Sequence, residues 1–91
     1  MSSHCVFCVV HGHVQGVAFR AATLTMAQGL RITGWVRNRH DGAVETLACG
    51  DAAALQSFQQ WLHKGPRYAI VSKVNCTPQP WEDFSEFRIT A

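Results

Sequence analysis

Two kinds of hydrophobic periodicity alternate along this chain, and their order narrows the folds open to it more than any other feature. Strand-like runs are expected at about Cys5–His11, Ile32–Asn38, Ala43–Cys49, Ala69–Thr77 and Ser85–Thr90. Phe19, Ala22, Met26, Ala27 and Leu30 recur at helical spacing and predict a first helix over Phe19–Leu30 with one apolar face. A second helix starts after Asp51, a good N-cap, and carries Leu55, Phe58 and Leu62 on one face. Gly65-Pro66 stops it, and Pro78 and Pro80 are expected to end the fourth strand. Asp41-Gly42 closes the second and third strands into a hairpin. The order is βαββαβ with an extra terminal strand. Right-handed crossovers then give an α+β sandwich of the ferredoxin-like kind. An antiparallel sheet of four to five strands carries two helices on one face.

A chain of 91 residues supports one domain, expected to span residues 1–91, and no linker or repeat divides it. The apolar fraction of 47% argues against disorder. A formal charge of +2 does not by itself call for a nucleic acid. Arg20, Arg37 and Arg39 are expected to make one local positive end, suited to a small anion. No apolar run nears the roughly 18 residues of a membrane span, and no charged leader precedes one, so a cytoplasmic protein is expected. Cys5-x-x-Cys8 has zinc spacing, but an odd separation in a strand sends the two side chains to opposite faces. Cys49 and Cys76 are not a second close pair, and His11-x-His13 has no acidic or cysteine partner nearby in sequence. No metal and no other cofactor is expected.

The junction between the first strand and the first helix reads Gly12-His13-Val14-Gln15-Gly16-Val17-Ala18-Phe19-Arg20. Its glycines let backbone N–H groups turn inward, and a helix start adds a positive dipole end. Arg20 offers a planar fork of donors that fits phosphate or carboxylate. The hairpin segment, Gly34 to Glu45, carries Asn38 at the end of the second strand. In the proposed topology the first and second strands run the same way. Arg20 and Asn38 therefore reach one rim of the sheet.

These two segments together resemble the acylphosphatase family. The Gly-x-Val-Gln-Gly-Val-x-Phe-Arg loop matches at residues 12–20. The Gly-aromatic-Val-basic-Asn…Asp-Gly-x-Val-Glu hairpin matches at residues 34–45. Gly65-Pro66 and the final Phe87-x-Ile89 fit as well. The resemblance implies metal-free hydrolysis of the carboxyl-phosphate bond of small acyl phosphates, giving a carboxylate and inorganic phosphate. It implies phosphate binding by the backbone of Gln15, Gly16, Val17, Ala18, Phe19 and Arg20, and by the Arg20 guanidinium. It implies that Arg20 and Asn38 are the catalytic residues, with the Asn38 amide holding the attacking water. The substrate suits so sparse a site. Its leaving carboxylate belongs to an acid of pKa roughly 4–5 and needs no general acid. Phosphoryl transfer depends chiefly on positioning and charge stabilisation. Acetyl phosphate, carbamoyl phosphate and 1,3-bisphosphoglycerate all present this group. The chain departs from the common pattern at Ala18 and at Arg31, where a positive φ would cost about 1 kcal/mol each.

Other readings predict different features. A catalytically idle anion-binding or regulatory domain of the same fold would not need both Arg20 and Asn38. A nucleic-acid module would need stacking aromatics on the sheet, and the first strand shows Val6, Cys8 and Val10 instead. No nucleic acid and no membrane partner is expected, and the protein is expected to be a monomer. A near relative is the acylphosphatase-like domain of carbamoyl-transfer hydrogenase maturation factors; without a further domain, the free enzyme is expected. His13 and His40 are read as bystanders, Asp41 and Glu45 as turn and solvent-face residues, and Trp35, Trp61 and Trp81 as packing or edge covers. The topology also sets the start of the first strand beside the end of the third. Cys5 and Cys49 then face each other at about 4.5–5.5 Å between Cα atoms, within reach of a disulfide. In this register a Cys8–Cys76 bridge is not expected.

Overall fold

β1 runs from His4 to His13 and carries different chemistry on its two faces. The computed structural model describes residues 3–91. After β1 come α1 (Phe19–Gly29), β2 (Thr33–Asn38), β3 (Val44–Gly50), α2 (Ala52–Lys64), β4 (Ile70–Gln79) and β5 (Phe87–Ile89). The strands form one sheet in the order β4-β1-β3-β2-β5. Val6, Cys8 and Val10 of β1, Val36 of β2 and Val44 and Ala48 of β3 pack with Phe19, Ala27, Leu55, Phe58 and Leu62 of the helices. This is the ferredoxin-like α+β sandwich, with two helices on one face.

The sheet is mixed, a correction to the antiparallel expectation. The pairs β1–β3, β1–β4 and β2–β3 are antiparallel, but β5 runs parallel to β2. The cause lies in where β4 ends. Gln79 sits opposite Cys5, at the rim where β1 starts. Residues 80–86 cross at that rim, with Phe84 against Cys5, Leu47 and Cys49. The chain thus meets β2 at its beginning, where Phe87 lies beside Gly34. Pro78 does not end β4 as expected, because β4 is an edge strand and a missing N–H is tolerated there.

Helix α2 follows expectation: Asp51 Oδ1 accepts from the Ala54 N–H at 2.9 Å, and Leu55, Phe58 and Leu62 are buried. In α1 the buried line is Phe19, Thr23 and Ala27, while Ala22, Met26 and Leu30 are only partly covered. The Thr23 hydroxyl donates to the Phe19 carbonyl at 2.8 Å, which lets a polar side chain occupy the core. The end of α1 is a Schellman closure. Ile32 N–H bonds the Ala27 carbonyl at 2.8 Å and Arg31 N–H the Gln28 carbonyl at 3.2 Å. Arg31 holds the left-handed position, φ 58°, that glycine usually takes, whereas Gly29 lies inside the helix.

Cys5 and Cys8 face opposite sides, so they cannot share a metal. Cys5 joins the open-face cluster with Leu47 and Cys49; Cys8 is in the main core. The structure pairs Cys5 with Cys49 across β1–β3, at 4.1 Å between Cα atoms. It also pairs Cys8 with Cys76 across β1–β4, again at 4.1 Å. The second bridge does not conflict with the first, contrary to the sequence expectation, because β1 has a neighbour on each side.

The same alternation corrects the case made against nucleic acids. Val6, Cys8 and Val10 face the helices, so they say nothing about the open face. That face carries Phe7 and Trp35, edge-to-face at 6.2 Å, with the Arg37 guanidinium 4.6 Å from the indole centroid. Trp61 packs on Phe19 at 5.6 Å, and Trp81 is half exposed.

Arg31→Gly is expected to raise stability by up to about 1 kcal/mol, the left-handed strain less the extra chain entropy of glycine. Gly29→Ala, whose added methyl meets open space, is expected to gain a similar about 1 kcal/mol; thermal unfolding at neutral pH reads both. In air-oxidised protein, alkylation without reductant is expected to block none of the four cysteines. Reduction is expected to lower Tm, each bridge being worth at most about 4 kcal/mol on the loop-entropy scale.

Candidate active site

The site begins with a register. Val44 pairs with Val10 on one side and with Asn38 on the other. The exit of β1 and the end of β2 therefore flank one residue. Side chains alternate along β2, so Asn38 shares the helix-facing side with the buried Val36, while Trp35 and Arg37 face away. Asn38 is thus aimed at the start of α1.

The loop after β1 completes the other wall. Gly12, at φ 129°, allows β4 to run close by; a Cβ there would collide with the Ile70 carbonyl. Gly16, at φ 76°, and Ala18, at φ 61°, turn the chain into α1. Ala18 is the N-cap and has no side chain to bond the helix. The first intrahelical bond is Ala22 N–H to the Ala18 carbonyl, 3.0 Å. The N–H groups of Phe19, Arg20 and Ala21 precede it and have no helical partner. No acidic residue lies in that first turn. Among the described residues, Arg20 takes part in no ion pair.

A cavity of about 220 Å³ is lined by Gly16, Ala18, Phe19, Arg20, Asn38 and Ile89, among others. The structure therefore brings Arg20 and Asn38 together across residues far apart in sequence. Of the other loop residues singled out, Val17 packs against the main core. The Gln15 side chain turns to the hairpin, its Nε2 donating to the carbonyls of Arg39 and Ala43. Asn38 Oδ1 is buried and has no hydrogen-bond donor among the described residues. His13 and His40 are exposed.

A larger and more open hollow, about 540 Å³, lies on the other side of Asn38, among Arg37, Arg39, Asp41 and Glu45. Its charges are already matched. Glu45 holds Arg37 at 2.6 Å and Arg39 at 3.6 Å, and Asp41 holds Arg39 at 3.0 Å. The expected three-arginine positive end thus reduces to Arg20 and the helix start. Glu45 is not a solvent-face residue either: it is 8% exposed and anchors both arginines. Sequence reasoning missed this role because nothing local links Glu45 to Arg37; the link is the pairing of β2 with β3. Asp41 closes the turn. Its carboxylate accepts from the Ala43 N–H at 3.1 Å and from Arg39, and these two hold its pKa below the ordinary aspartate value.

The fold and the site together define a small α+β domain with one cavity at the sheet rim, lined by a glycine-containing loop, the start of a helix, an arginine that makes no ion pair among the described residues, and a carboxamide. The acylphosphatase family model matches residues 6–89, and the chain belongs to that family, hydrolases of acyl phosphates. It is 45% identical to an acylphosphatase of Legionella pneumophila over 93% of both sequences. The solved structure of an acylphosphatase from Coxiella burnetii matches with a TM-score of 0.94 at 41% identity, over 97% of this chain and 93% of that one. The Bacillus subtilis acylphosphatase matches with the same TM-score of 0.94 at 36% identity, over 97% and 99%.

The Asp41 environment sets a pH dependence. A carboxyl whose folded pKa is lowered stabilises above its unfolded value, about 3.9, and that stabilisation is lost as pH falls through the folded value. Asp41→Asn is therefore expected to destabilise the protein at pH 6, with the difference from the parent shrinking below about pH 4. Denaturant unfolding of both proteins across this range measures it.

Proposed function

We propose that the cavity between Arg20 and Asn38 hydrolyses small acyl phosphates without a metal. The phosphoryl group sits over the N–H groups of Gly16 to Arg20. Two of its oxygens lie against the Arg20 fork. The loop and Arg20 supply the positive charge that a metal would otherwise bring. Asn38 holds a water in line with the leaving carboxylate. The water oxygen forms the new bond to phosphorus as the anhydride P–O bond breaks. The electron pair leaves with the carboxylate, and a water proton passes to a phosphate oxygen. No protein group needs to act as acid or base.

One observation carries the reading of Asn38. Together with Arg20 and the first residues of α1, it lines the cavity of about 220 Å³ at the sheet rim. The alternation along β2 aims its side chain at that space, and a carboxamide both donates to and accepts from a water held there.

Arg20 and Asn38 are expected to fail differently. Asn38→Ala is expected to lower kcat by about 100-fold or more with KM nearly unchanged. Arg20→Lys is expected to lose orthophosphate inhibition together with turnover, because a point charge does not replace two parallel hydrogen bonds. A rise in KM with kcat intact in Asn38→Ala would make Asn38 a binding residue instead. EDTA is expected to leave activity unchanged, measured with an aryl acyl phosphate.

A further inference from the structure

Nothing in the phosphate chemistry calls for the Gln15 side chain. Only its backbone belongs to the cradle. Yet its Nε2 makes two good hydrogen bonds, 2.8 Å to the Arg39 carbonyl and 2.9 Å to the Ala43 carbonyl. Both partners are backbone acceptors, so both amide protons are committed. Among the described residues, no other side chain of the loop 12–18 bonds to the hairpin. The two anchor points are also particular. Arg39 directly follows Asn38, and Ala43 directly precedes Val44, the residue paired with Asn38.

The hairpin does not depend on Gln15 for its own closure. Arg39 N–H already bonds the Ala43 carbonyl at 2.8 Å, and Gly42 N–H bonds the Arg39 carbonyl at 3.3 Å. Asp41 caps the Ala43 N–H. Gln15 adds something else: it fastens that closed turn to the loop that leads into Arg20. The phosphoryl group and the water would be held by two different segments of chain. In-line attack requires those segments to keep a fixed offset and angle.

We propose that Gln15 is a positioning residue for the hydrolysis, acting through Asn38. It locks the hairpin to the anion loop so that the Asn38 carboxamide meets the phosphoryl group in line. This rests on the reading of Asn38 given above. Misplacement by about 1 Å is enough to cost up to about 100-fold in rate. The loss falls on kcat, because the cradle and Arg20 still bind phosphate without the tie.

The test is a double-mutant cycle. Gln15→Met keeps the length of the side chain and removes its donors. It is expected to lower kcat between about 10- and 100-fold, with KM and the orthophosphate inhibition constant nearly unchanged. Added to Asn38→Ala it is expected to cost nothing more. Losses that multiply, a normal kcat in Gln15→Met, or phosphate inhibition that weakens in step with kcat would each overturn the proposal. A fully active Asn38→Ala would instead overturn the reading of Asn38, and the proposal with it. Gln15→Glu tests the same point where Gln15→Met fails to fold. Its carboxylate has no proton for the two carbonyls, but its acid form restores one donor. The ratio of its kcat to that of the parent is expected to rise as pH falls; a flat ratio would overturn the proposal.

Discussion

The pairing of Val44 with Val10 on one side and Asn38 on the other is the constraint on which the site depends. It brings the loop leaving β1 and the last residue of β2 to the same point on the rim. A slip of one residue would turn Asn38 to the open face and Arg37 toward α1. Burial opposes that slip. Val10, Val36 and Val44 are all fully enclosed on the helix side. Thr46, buried with them, donates from its hydroxyl to the Trp35 carbonyl at 2.7 Å, which holds β2 against β3 from within. The register is therefore a property of the core, and the site inherits it.

The open face shapes the site by subtraction. Glu45, Arg37 and Arg39 sit together there and at the turn, with Asp41 closing the group. Two acids against two arginines leave no net cation beside Asn38. An anion approaching that rim meets its free positive charge at Arg20 and at the start of α1. Neutrality on one side of Asn38 and positive charge on the other give the rim a direction. The uncompensated positive charge lies on the α1 side, and the acids and arginines of the other side balance each other.

Much of this was legible in the sequence. Alternating strand and helix periods, the Asp51 cap and the Asp41-Gly42 turn gave the architecture, because each is a local pattern with a local cause. The convergence of Arg20 and Asn38 followed from strand direction alone. What the sequence hid was decided between elements. The parallel direction of β5 depends on which rim the segment 80–86 crosses. The burial of Thr23 depends on a bond to its own helix carbonyl, which hydrophobic spacing does not register. The work of Glu45 depends on two arginines brought near it by pairing: Arg37 directly opposite it, and Arg39 one residue beyond Asn38, the residue opposite its neighbour Val44. Cys8 and Cys76 meet because β1 lies between two partners, whereas the reading of Cys5 considered only one of them.

Local rules are broken at Ala18 and at Arg31, and the two cases differ in an instructive way. Both residues hold a left-handed conformation without being glycine. Each costs on the order of 1 kcal/mol. Arg31 completes an ordinary helix closure, with the carbonyls of Ala27 and Gln28 satisfied by the backbone. Its strain serves only the turn into β2. Ala18 does the opposite. It offers no side-chain oxygen to the first N–H groups of α1, which stay without a side-chain cap. Strain alone therefore does not mark a functional site. What separates Ala18 from Arg31 is place: Ala18 lines the same cavity as Arg20 and Asn38.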